Sequence, residues 1–376
     1  MIVPRAIDEA LQAAVHDGVF PGAVLAVRIS GDLRFIAVAG RLSSDAGSPP
    51  VRPDTIYDLA SLTKPLATAT SILLLIQASK LSLDDRAQSI LPELAGSTVG
   101  LATIRQLLSH CAGLPGWRPI HERLQAKGFR PDSSGSVRQA VAEMIRDEPL
   151  LYVPESKSIY SDLGFMLLGF TIERVGGLLL DQWFDKNVAG LLGATPLRFS
   201  PLMRLSAQDD RKSEIAQTAI APTEWSSSRN RVLCGEVHDD NALAMGGVAG
   251  HAGLFGTAEA VLTISGAWLR ALQGEASILN RSLARVFTER WMKVPQSSWA
   301  LGWDTPTPPS SSGTFFSPSS FGHLGYTGTS LWVDPGRSVE VVLLSNRVHP
   351  SSKNEKIRQF RPMIHDLVMR ECGLAN

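Results

Sequence analysis

Apolar residues recur at two spacings along the 376-residue chain, and the spacing changes more than once. Residues 4–17 carry alanine, leucine and valine at helical spacing, which predicts an amphipathic helix. Two runs rich in valine and isoleucine follow at residues 21–29 and 33–40, and the Ser30-Gly31-Asp32 segment between them is typical of a turn. The amino-terminal part is therefore predicted to form a helix followed by a β-hairpin.

The middle of the chain is dominated by helical spacing. One buried helix is predicted at residues 62–77, and the pattern from about residue 80 to 190 stays mostly helical, with further helices at 163–175 and 178–187. Residues 195–240 mix prolines, serines and charges, which favours long loops.

Strand patterns return near the carboxyl terminus. Residues 329–334 and 339–346 are rich in valine and leucine, and a turn containing Asp334-Pro335-Gly336 joins them. Helical spacing is found once more before them, at 258–272, and again after them, at 353–370. Strands therefore lie at both ends of the chain, with helices between them.

This order of elements predicts an α/β (α+β) fold. We expect an antiparallel β-sheet built from both termini, flanked by amino- and carboxyl-terminal helices and interrupted by an inserted all-α domain. In residue numbers, 1–78 and 236–376 form the α/β domain and 79–235 the mostly helical one. The active site is expected in the cleft between them.

Composition narrows the functional classes. Lysine plus arginine and aspartate plus glutamate both number 36, so the net charge is zero, which disfavours a dedicated nucleic-acid binder. The three cysteines, Cys111, Cys234 and Cys372, form no CxxC pair, which disfavours a structural zinc site. Asp8 and Glu9 interrupt any apolar run at the amino terminus, so we expect no signal peptide, no membrane partner and a cytoplasmic location.

The strongest chemical signal is the segment Ser61-Leu62-Thr63-Lys64. A serine and a lysine three residues apart on a helix lie on one face, and this lysine is the only one in the chain with a serine three residues before it. A serine hydroxyl becomes a nucleophile when a base takes its proton. A helix amino terminus would also favour a developing oxyanion. The alternative is an ordinary surface helix.

A second candidate is Tyr160-Ser161-Asp162. A phenol next to a cationic amine has a lowered pKa, so Tyr160 is a candidate general base, and Asp162 could hold Lys64 by a charge-assisted hydrogen bond. The alternative is a tyrosine that packs its ring at the start of a helix.

A third candidate follows at His323-Leu324-Gly325-Tyr326, directly before a predicted strand. Glycines permit a close approach of the backbone to a ligand. The backbone N–H of Tyr326 could be an oxyanion donor, and His323 could contact a substrate carboxylate or a leaving group. The H-x-G pattern alone is weak, because it occurs at two other places in the chain.

In combination and order these motifs resemble the penicillin-binding-protein-like serine hydrolases, which include class C β-lactamases, D-alanyl-D-alanine carboxypeptidases and family VIII esterases. Longer stretches agree, among them IYDLASLTKPLATAT, TIRQLLSHCAGLPGW and FGHLGYTGTSLWVDP, so the resemblance extends from about residue 20 to 347. It implies a β-lactamase/transpeptidase-like fold and chemistry without a cofactor or metal ion. The substrate it implies is a small ester, amide or lactam.

The resemblance also implies residue roles. Ser61 would be the acylated nucleophile, Lys64 and Tyr160 the proton-transfer pair, and the N–H groups of Ser61 and Tyr326 the oxyanion hole. Asp162 and His323 depart from the commonest asparagine and lysine. An acid at residue 162 would raise the pKa of Lys64 and shift the base role toward Tyr160.

Three functions follow from these residues. The replacement of lysine by His323 weakens binding of a carboxylate, and together with the expected cytoplasmic location it favours a carboxylesterase or amidase. The first alternative is a β-lactamase or a D-amino-acid peptidase that acts on β-lactams or cell-wall peptide fragments. The second is a non-catalytic sensor that keeps the fold. A metal site formed by His238, Asp239, Asp240 and His251 is disfavoured, because loop residues of these types are more often solvated.

Overall fold

The computed structural model describes residues 2–132, 134–199 and 220–375. Its strands lie mainly toward the two ends of the chain. They are β1 (Gly22–Ile29), β2 (Asp32–Gly40), β3 (Tyr57–Asp58), β4 (Leu197–Phe199), β5 (Trp225–Ser226), β6 (Arg231–Val232), β7 (Leu254–Gly256), β8 (Phe321–Leu324), β9 (Ser330–Asp334) and β10 (Val339–Ser345).

Most of the helices lie between the first strands and the last. They are α1 (Arg5–His16), α2 (Thr70–Gln77), α3 (Ala87–Ile90), α4 (Ile104–Leu108), α5 (Ile120–Ala126), α6 (Gly135–Arg146), α7 (Asp162–Gly176), α8 (Leu180–Phe184), α9 (Gly190–Leu192), α10 (Asp240–Ala244), α11 (Ala258–Gln273), α12 (Arg281–Thr288) and α13 (Ile357–Glu371). Short 3-10 helices occur at Ala60–Leu62, Pro92–Leu94 and Val99–Leu101, and π-helical turns at Lys64–Ala69 and Asp185–Ala189.

The main sheet joins the two termini. Its five strands lie in the order β2-β1-β10-β9-β8, and each neighbouring pair is antiparallel. The first strand of the chain pairs with the last, with Ala23 opposite Ser345. The prediction of an antiparallel sheet built from both ends is confirmed, as are the hairpin β1–β2 and the turn between β9 and β10.

Helices cover both faces of this sheet. Along β1, Leu25 and Val27 are buried in an apolar cluster shared with α1 and α13. Val24 and Ala26 point to the other face and belong to the larger cluster, which includes α2 and α11. Successive strand residues face opposite sides, so burial of both faces explains why β1 is almost continuously apolar.

The predicted helix at residues 62–77 is divided. A 3-10 turn at Ala60–Leu62 is followed by a π-helical turn at Lys64–Ala69 and then by α2. Pro65 lies near the start of the π-helical turn, where a missing N–H breaks no helical hydrogen bond. Most of this segment is buried. Its 3-10 turn contacts β8 of the main sheet, its π-helical turn and α2 contact α7, and it carries the Ser61–Lys64 motif.

The region predicted as loops contains some regular structure. β4 pairs with β7, which also pairs with β3, so that a small three-stranded sheet lies beside the Ser61 segment. β5 and β6 form a short hairpin. Residues 200–219 of that prediction lie outside the described residues. The domain boundaries at residues 78 and 235 stay a prediction.

No single helix in the described ranges is long and apolar enough to cross a membrane. The pair Asp162–Gly176 and Leu180–Leu192, which meets at a bend of 69°, passes the criteria of length and composition only when its two parts are taken together.

Candidate active site

Ser61 lies in a tight turn that a buried carboxylate holds in place. The preceding residue, Ala60, has a φ of +47°, a conformation that is unfavourable for a residue with a side chain. The carboxylate of Asp58 accepts the N–H of Ala60 and the N–H of His238, each at 2.8 Å. One buried side chain therefore fixes the strained turn and ties it to the segment before α10.

Lys64 is fully buried and points back to Ser61. Its Nζ donates to Ser61 Oγ at 3.1 Å and to the carbonyl oxygen of His251 at 3.1 Å. The Asp162 carboxylate lies 2.7 Å from the same Nζ. The predicted pairing of Lys64 with Asp162 is present in the structure, and α7 supplies the acid from its first turn.

Two opposing effects act on the Lys64 amine. Burial lowers the pKa of Lys64, but the charges of Asp162 and Tyr160 and hydrogen bonds to them raise it more. The net pKa lies above the ordinary value for lysine, so the amine is a cation near neutral pH. In this state Lys64 can stabilise negative charge but has no free lone pair to accept a proton.

Tyr160 lies over the Lys64 amine, whose Nζ is 4.7 Å from the centroid of the ring. Burial raises the pKa of Tyr160, and the Lys64 charge and hydrogen bonds to Lys64 and Ser61 oppose this only in part. The expectation of a lowered tyrosine pKa is wrong, because the loss of hydration outweighs the neighbouring cation. In the free protein Tyr160 is therefore a neutral phenol near pH 7.

Three further rings enclose Tyr160. The ring centroids of His110, Trp299 and His323 lie 4.7, 5.2 and 5.8 Å from that of Tyr160. His110 Nδ1 also accepts the N–H of Ser161 at 3.0 Å, so it holds the backbone next to Tyr160. Sequence reasoning did not assign His110 or Trp299 to the site. The only signal for His110 was its place in the segment TIRQLLSHCAGLPGW.

His323 lies in β8, one residue before the end of the strand, and is buried. Its Nδ1 is 2.7 Å from the carbonyl oxygen of Leu324, which can only accept, so this nitrogen carries the proton. Burial and the Lys64 cation lower the pKa of His323 to about 3. The ring is therefore neutral near pH 7 and supplies no positive charge for a substrate carboxylate.

Tyr326 lies in the turn after β8, and its side chain is exposed. The turn is fastened to the backbone before Ser61, because the hydroxyls of Thr327 and Thr329 donate to the carbonyl oxygens of Asp58 and Leu59 at 2.7 and 3.1 Å. A Cβ on Gly325 would overlap Thr329 Oγ1 and Leu59 O, so glycine is required there. Within the described residues the N–H of Tyr326 has no hydrogen-bond acceptor.

The loop histidines and acidic residues that the sequence disfavours as metal ligands contact other side chains and the backbone. His251 Nε2 lies 3.0 Å from Asp239 Oδ1, and the same carboxylate accepts the N–H of Ala242 at the start of α10. His238 Nε2 lies 2.9 Å from the carboxylate of Glu224. In the part of the chain that the structure describes, no group of three or more histidine, cysteine or acidic residues is arranged to hold a metal ion.

Comparison with known proteins gives consistent results. Residues 7–361 match the family model described as Beta-lactamase. A protein of Escherichia coli strain K12 described as a putative D-alanyl-D-alanine carboxypeptidase is 34% identical over 310 residues, which cover 78% of this chain and 70% of that protein. A protein of Salmonella typhi with the same description is 32% identical over 317 residues, covering 81% and 72%.

Solved structures share the fold. A penicillin-binding protein homologue from Pyrococcus abyssi, described as octameric, aligns with a TM-score of 0.74 at 19% identity and covers 98% of this chain and 77% of its own. EstCE1, described as a hydrolase with promiscuous acyltransferase activity, aligns with a TM-score of 0.71 at 21% identity, covering 95% and 97%. At these identities the likeness shows the fold alone.

Proposed function

Because the chain belongs to the beta-lactamase family and is a serine hydrolase, we propose that Ser61 is its nucleophile and forms an acyl-enzyme with an ester or amide substrate. The observation that carries this proposal is the contact of Lys64 Nζ with both Ser61 Oγ and the Asp162 carboxylate, at 3.1 and 2.7 Å. A buried cation next to a serine hydroxyl favours the alkoxide that forms during attack.

Tyr160 is proposed as the proton carrier. In its ionised form the phenolate accepts the proton of Ser61 as Oγ attacks the carbonyl carbon, and the resulting phenol donates this proton to the leaving group. Water then attacks the acyl-enzyme, again with Tyr160 as the base. Lys64 remains a cation throughout and stabilises the phenolate, in agreement with its raised pKa.

The oxyanion of the tetrahedral intermediate is proposed to lie between the N–H groups of Ser61 and Tyr326. The ties from Thr327 and Thr329 to the backbone of residues 58 and 59 support this role, because they hold the two donor segments side by side. Donors fixed before the reaction need no reorganisation when charge develops.

The site is proposed to lie in the cleft between the two predicted domains. Ser61 and Lys64 come from residues 1–78, Tyr160 and Asp162 from residues 79–235, and Tyr326 from residues 236–376. The ion pair between Lys64 and Asp162 joins residues of the two predicted domains, which supports a site formed by both of them. The cytoplasmic location expected from the sequence is kept as part of the proposal.

Charge at the site favours a carboxylesterase or amidase over a carboxypeptidase. Lys64 is paired with Asp162, and His323 is neutral near pH 7, so neither offers a free cation to a carboxylate next to the scissile bond. Hydrolysis of β-lactams or D-amino-acid peptides is the second candidate, and the description of the Escherichia coli relative favours it.

Steady-state kinetics with three substrates tests the proposal: p-nitrophenyl butyrate, nitrocefin and a peptide that ends in D-alanyl-D-alanine. We expect the highest kcat/KM for the neutral ester and no turnover of any substrate by the Ser61→Ala variant. Higher efficiency on nitrocefin or the peptide would establish the second candidate. A folded protein that hydrolyses none of them and does not react with a fluorophosphonate would instead be a non-catalytic sensor.

A further inference from the structure

Arg361 lies in α13, below the turn that carries Tyr326, and is buried. One of its guanidinium nitrogens, Nη2, donates to the carbonyl oxygen of Gly325 at 2.7 Å and to that of Thr329 at 2.8 Å. The same turn is closed by the N–H of Gly325, which donates to Thr329 O at 2.8 Å. Arg361 thus binds the two carbonyl groups at the base of the turn.

The guanidinium has no anionic partner among the described residues. Its contacts there are backbone carbonyls, and its Nε has no hydrogen-bond partner. Burial, followed by the charge of Arg347, lowers the pKa of Arg361 to about 9, so the group remains a cation near neutral pH. Burial of a charge without an anion is costly, and a merely structural contact to two carbonyls does not require a charged side chain.

The direction of the peptide gives this charge a role. In a trans peptide the C=O and the N–H point to opposite sides, and the bond between Gly325 and Tyr326 is trans. Because Gly325 O points to Arg361, the Tyr326 N–H of the same peptide points away from it. A cation bound to the carbonyl oxygen also polarises the peptide and strengthens its N–H as a donor.

We propose that Arg361 is a positioning residue that orients and polarises the Tyr326 N–H for the oxyanion. This inference rests on the proposed function, in which that N–H is the second oxyanion donor. Arg361 acts through the Gly325–Tyr326 peptide and does not touch the substrate. Its absence would therefore weaken binding of the tetrahedral state more than binding of the substrate.

Three variants test the inference. Arg361→Met removes the charge and both hydrogen bonds, and Arg361→Lys keeps the charge on a shorter side chain. Arg358→Met is the matched control, because Arg358 is an exposed arginine of the same helix and pairs with Glu355. For each we would measure the melting temperature, kcat and KM for p-nitrophenyl butyrate, and the inhibition constant of an alkyl boronic acid, which forms a tetrahedral adduct with a nucleophilic serine.

For Arg361→Met we expect a fall in kcat of at least tenfold with KM within a factor of two. We also expect a boronic acid inhibition constant raised by a similar factor. Arg361→Lys should lie between this variant and the wild type, and Arg358→Met should match the wild type. If Arg361→Met does not fold, kcat and the boronic acid inhibition constant of Arg361→Lys are compared with those of the wild type to test the inference.

Wild-type values of kcat and boronic acid inhibition in a folded Arg361 variant would overturn the inference. A fall caused by general loosening would raise KM together with the inhibition constant, and this result would also contradict it. Failure of the proposed function is seen separately, because the wild-type protein would then neither hydrolyse the ester nor bind the boronic acid.

Discussion

Replacement of Asp162 by asparagine should leave a buried cation at Lys64 without its anion. Asparagine keeps the size of the side chain but removes the charge, while Lys64 stays fully buried and keeps its bonds to Ser61 Oγ and His251 O. Two unit charges 2.7 Å apart interact by about 6 kcal/mol at an effective dielectric constant of about 20. This is the attraction that the substitution removes.

The protein can limit the loss by releasing the proton of Lys64. With an ordinary pKa of about 10.4, deprotonation at pH 7 costs about 4.6 kcal/mol, which is less than the lost attraction. We therefore expect Asp162→Asn to lower the free energy of unfolding by about 3 to 5 kcal/mol at pH 7, the range found when a buried pair is broken. The cost of deprotonation falls by about 1.4 kcal/mol per pH unit, so the loss at pH 9 should be smaller than the loss at pH 7 by about 2.7 kcal/mol.

Urea unfolding of the wild type and of Asp162→Asn at pH 7 and pH 9 measures this difference. Glu289→Gln is a suitable control, because Glu289 pairs with Arg285 on an exposed helix face, where loss of the pair should change stability by less than about 1 kcal/mol. A loss below 1 kcal/mol at pH 7 would refute the reasoning. So would a loss that does not change between the two pH values, since the raised pKa of Lys64 depends on Asp162.

Three further predictions concern Tyr160 as the proton carrier, His323 and substrate specificity, and the buried His365. The pKa of Tyr160 is raised, so the wild-type kcat/KM should increase about tenfold per pH unit from pH 7 to pH 9. Tyr160→Phe should lower kcat at least 100-fold. A kcat/KM of the wild type that does not change with pH would contradict the role of Tyr160 as the base. His323→Lys adds a cation at the end of β8 and should raise the ratio of nitrocefin to p-nitrophenyl butyrate efficiency at least tenfold, whereas an unchanged ratio would show that charge at this residue does not set specificity. Burial lowers the pKa of His365 to about 4, so the unfolded state binds a proton at higher pH than the folded state does. Its contribution to stability is therefore complete above about pH 6.5 and falls by about 1.4 kcal/mol per pH unit below it. Urea unfolding between pH 6.5 and 4.5 should show a slope reduced by that amount in His365→Asn, and an identical slope would contradict the assignment.

The sheet and the long helices could be predicted because their patterns are local. In β1 and β10 almost every residue is apolar, and α11 and α13 carry their apolar residues at helical spacing, so the periods of the sequence match the elements of the structure. The division of the segment from Ala60 to Gln77 could not be predicted, because its 3-10 and π-helical turns depend on tertiary ties such as the one from Asp58.

Part of the candidate site could be predicted because its residues form local patterns. Ser61 and Lys64 lie three residues apart, and Tyr160 and Asp162 two apart, so each pair was visible within a short stretch. The ionisation of these groups depends on their burial, which cannot be derived from the spacing of residues. For this reason the sequence predicted a lowered pKa for Tyr160, whereas burial raises it.

Side chains that contact the candidate site only through its backbone could not be predicted from the sequence either. Arg361 contacts Gly325 across 36 residues of chain, and its contact is to a carbonyl oxygen that every residue carries. His110 contacts Ser161 in the same way, through the backbone N–H. A contact to a backbone group does not restrict the type of the residue that carries it. The sequence therefore contains no pair of residue types from which such a contact could be predicted.

Mass spectrometry of the intact protein tests the central claim most directly. A fluorophosphonate should add a single adduct to the wild type, peptide mapping should place it on Ser61, and the folded Ser61→Ala variant should gain no mass. An adduct that persists in Ser61→Ala, or a folded wild type that gains none, would contradict the assignment of Ser61 as the nucleophile.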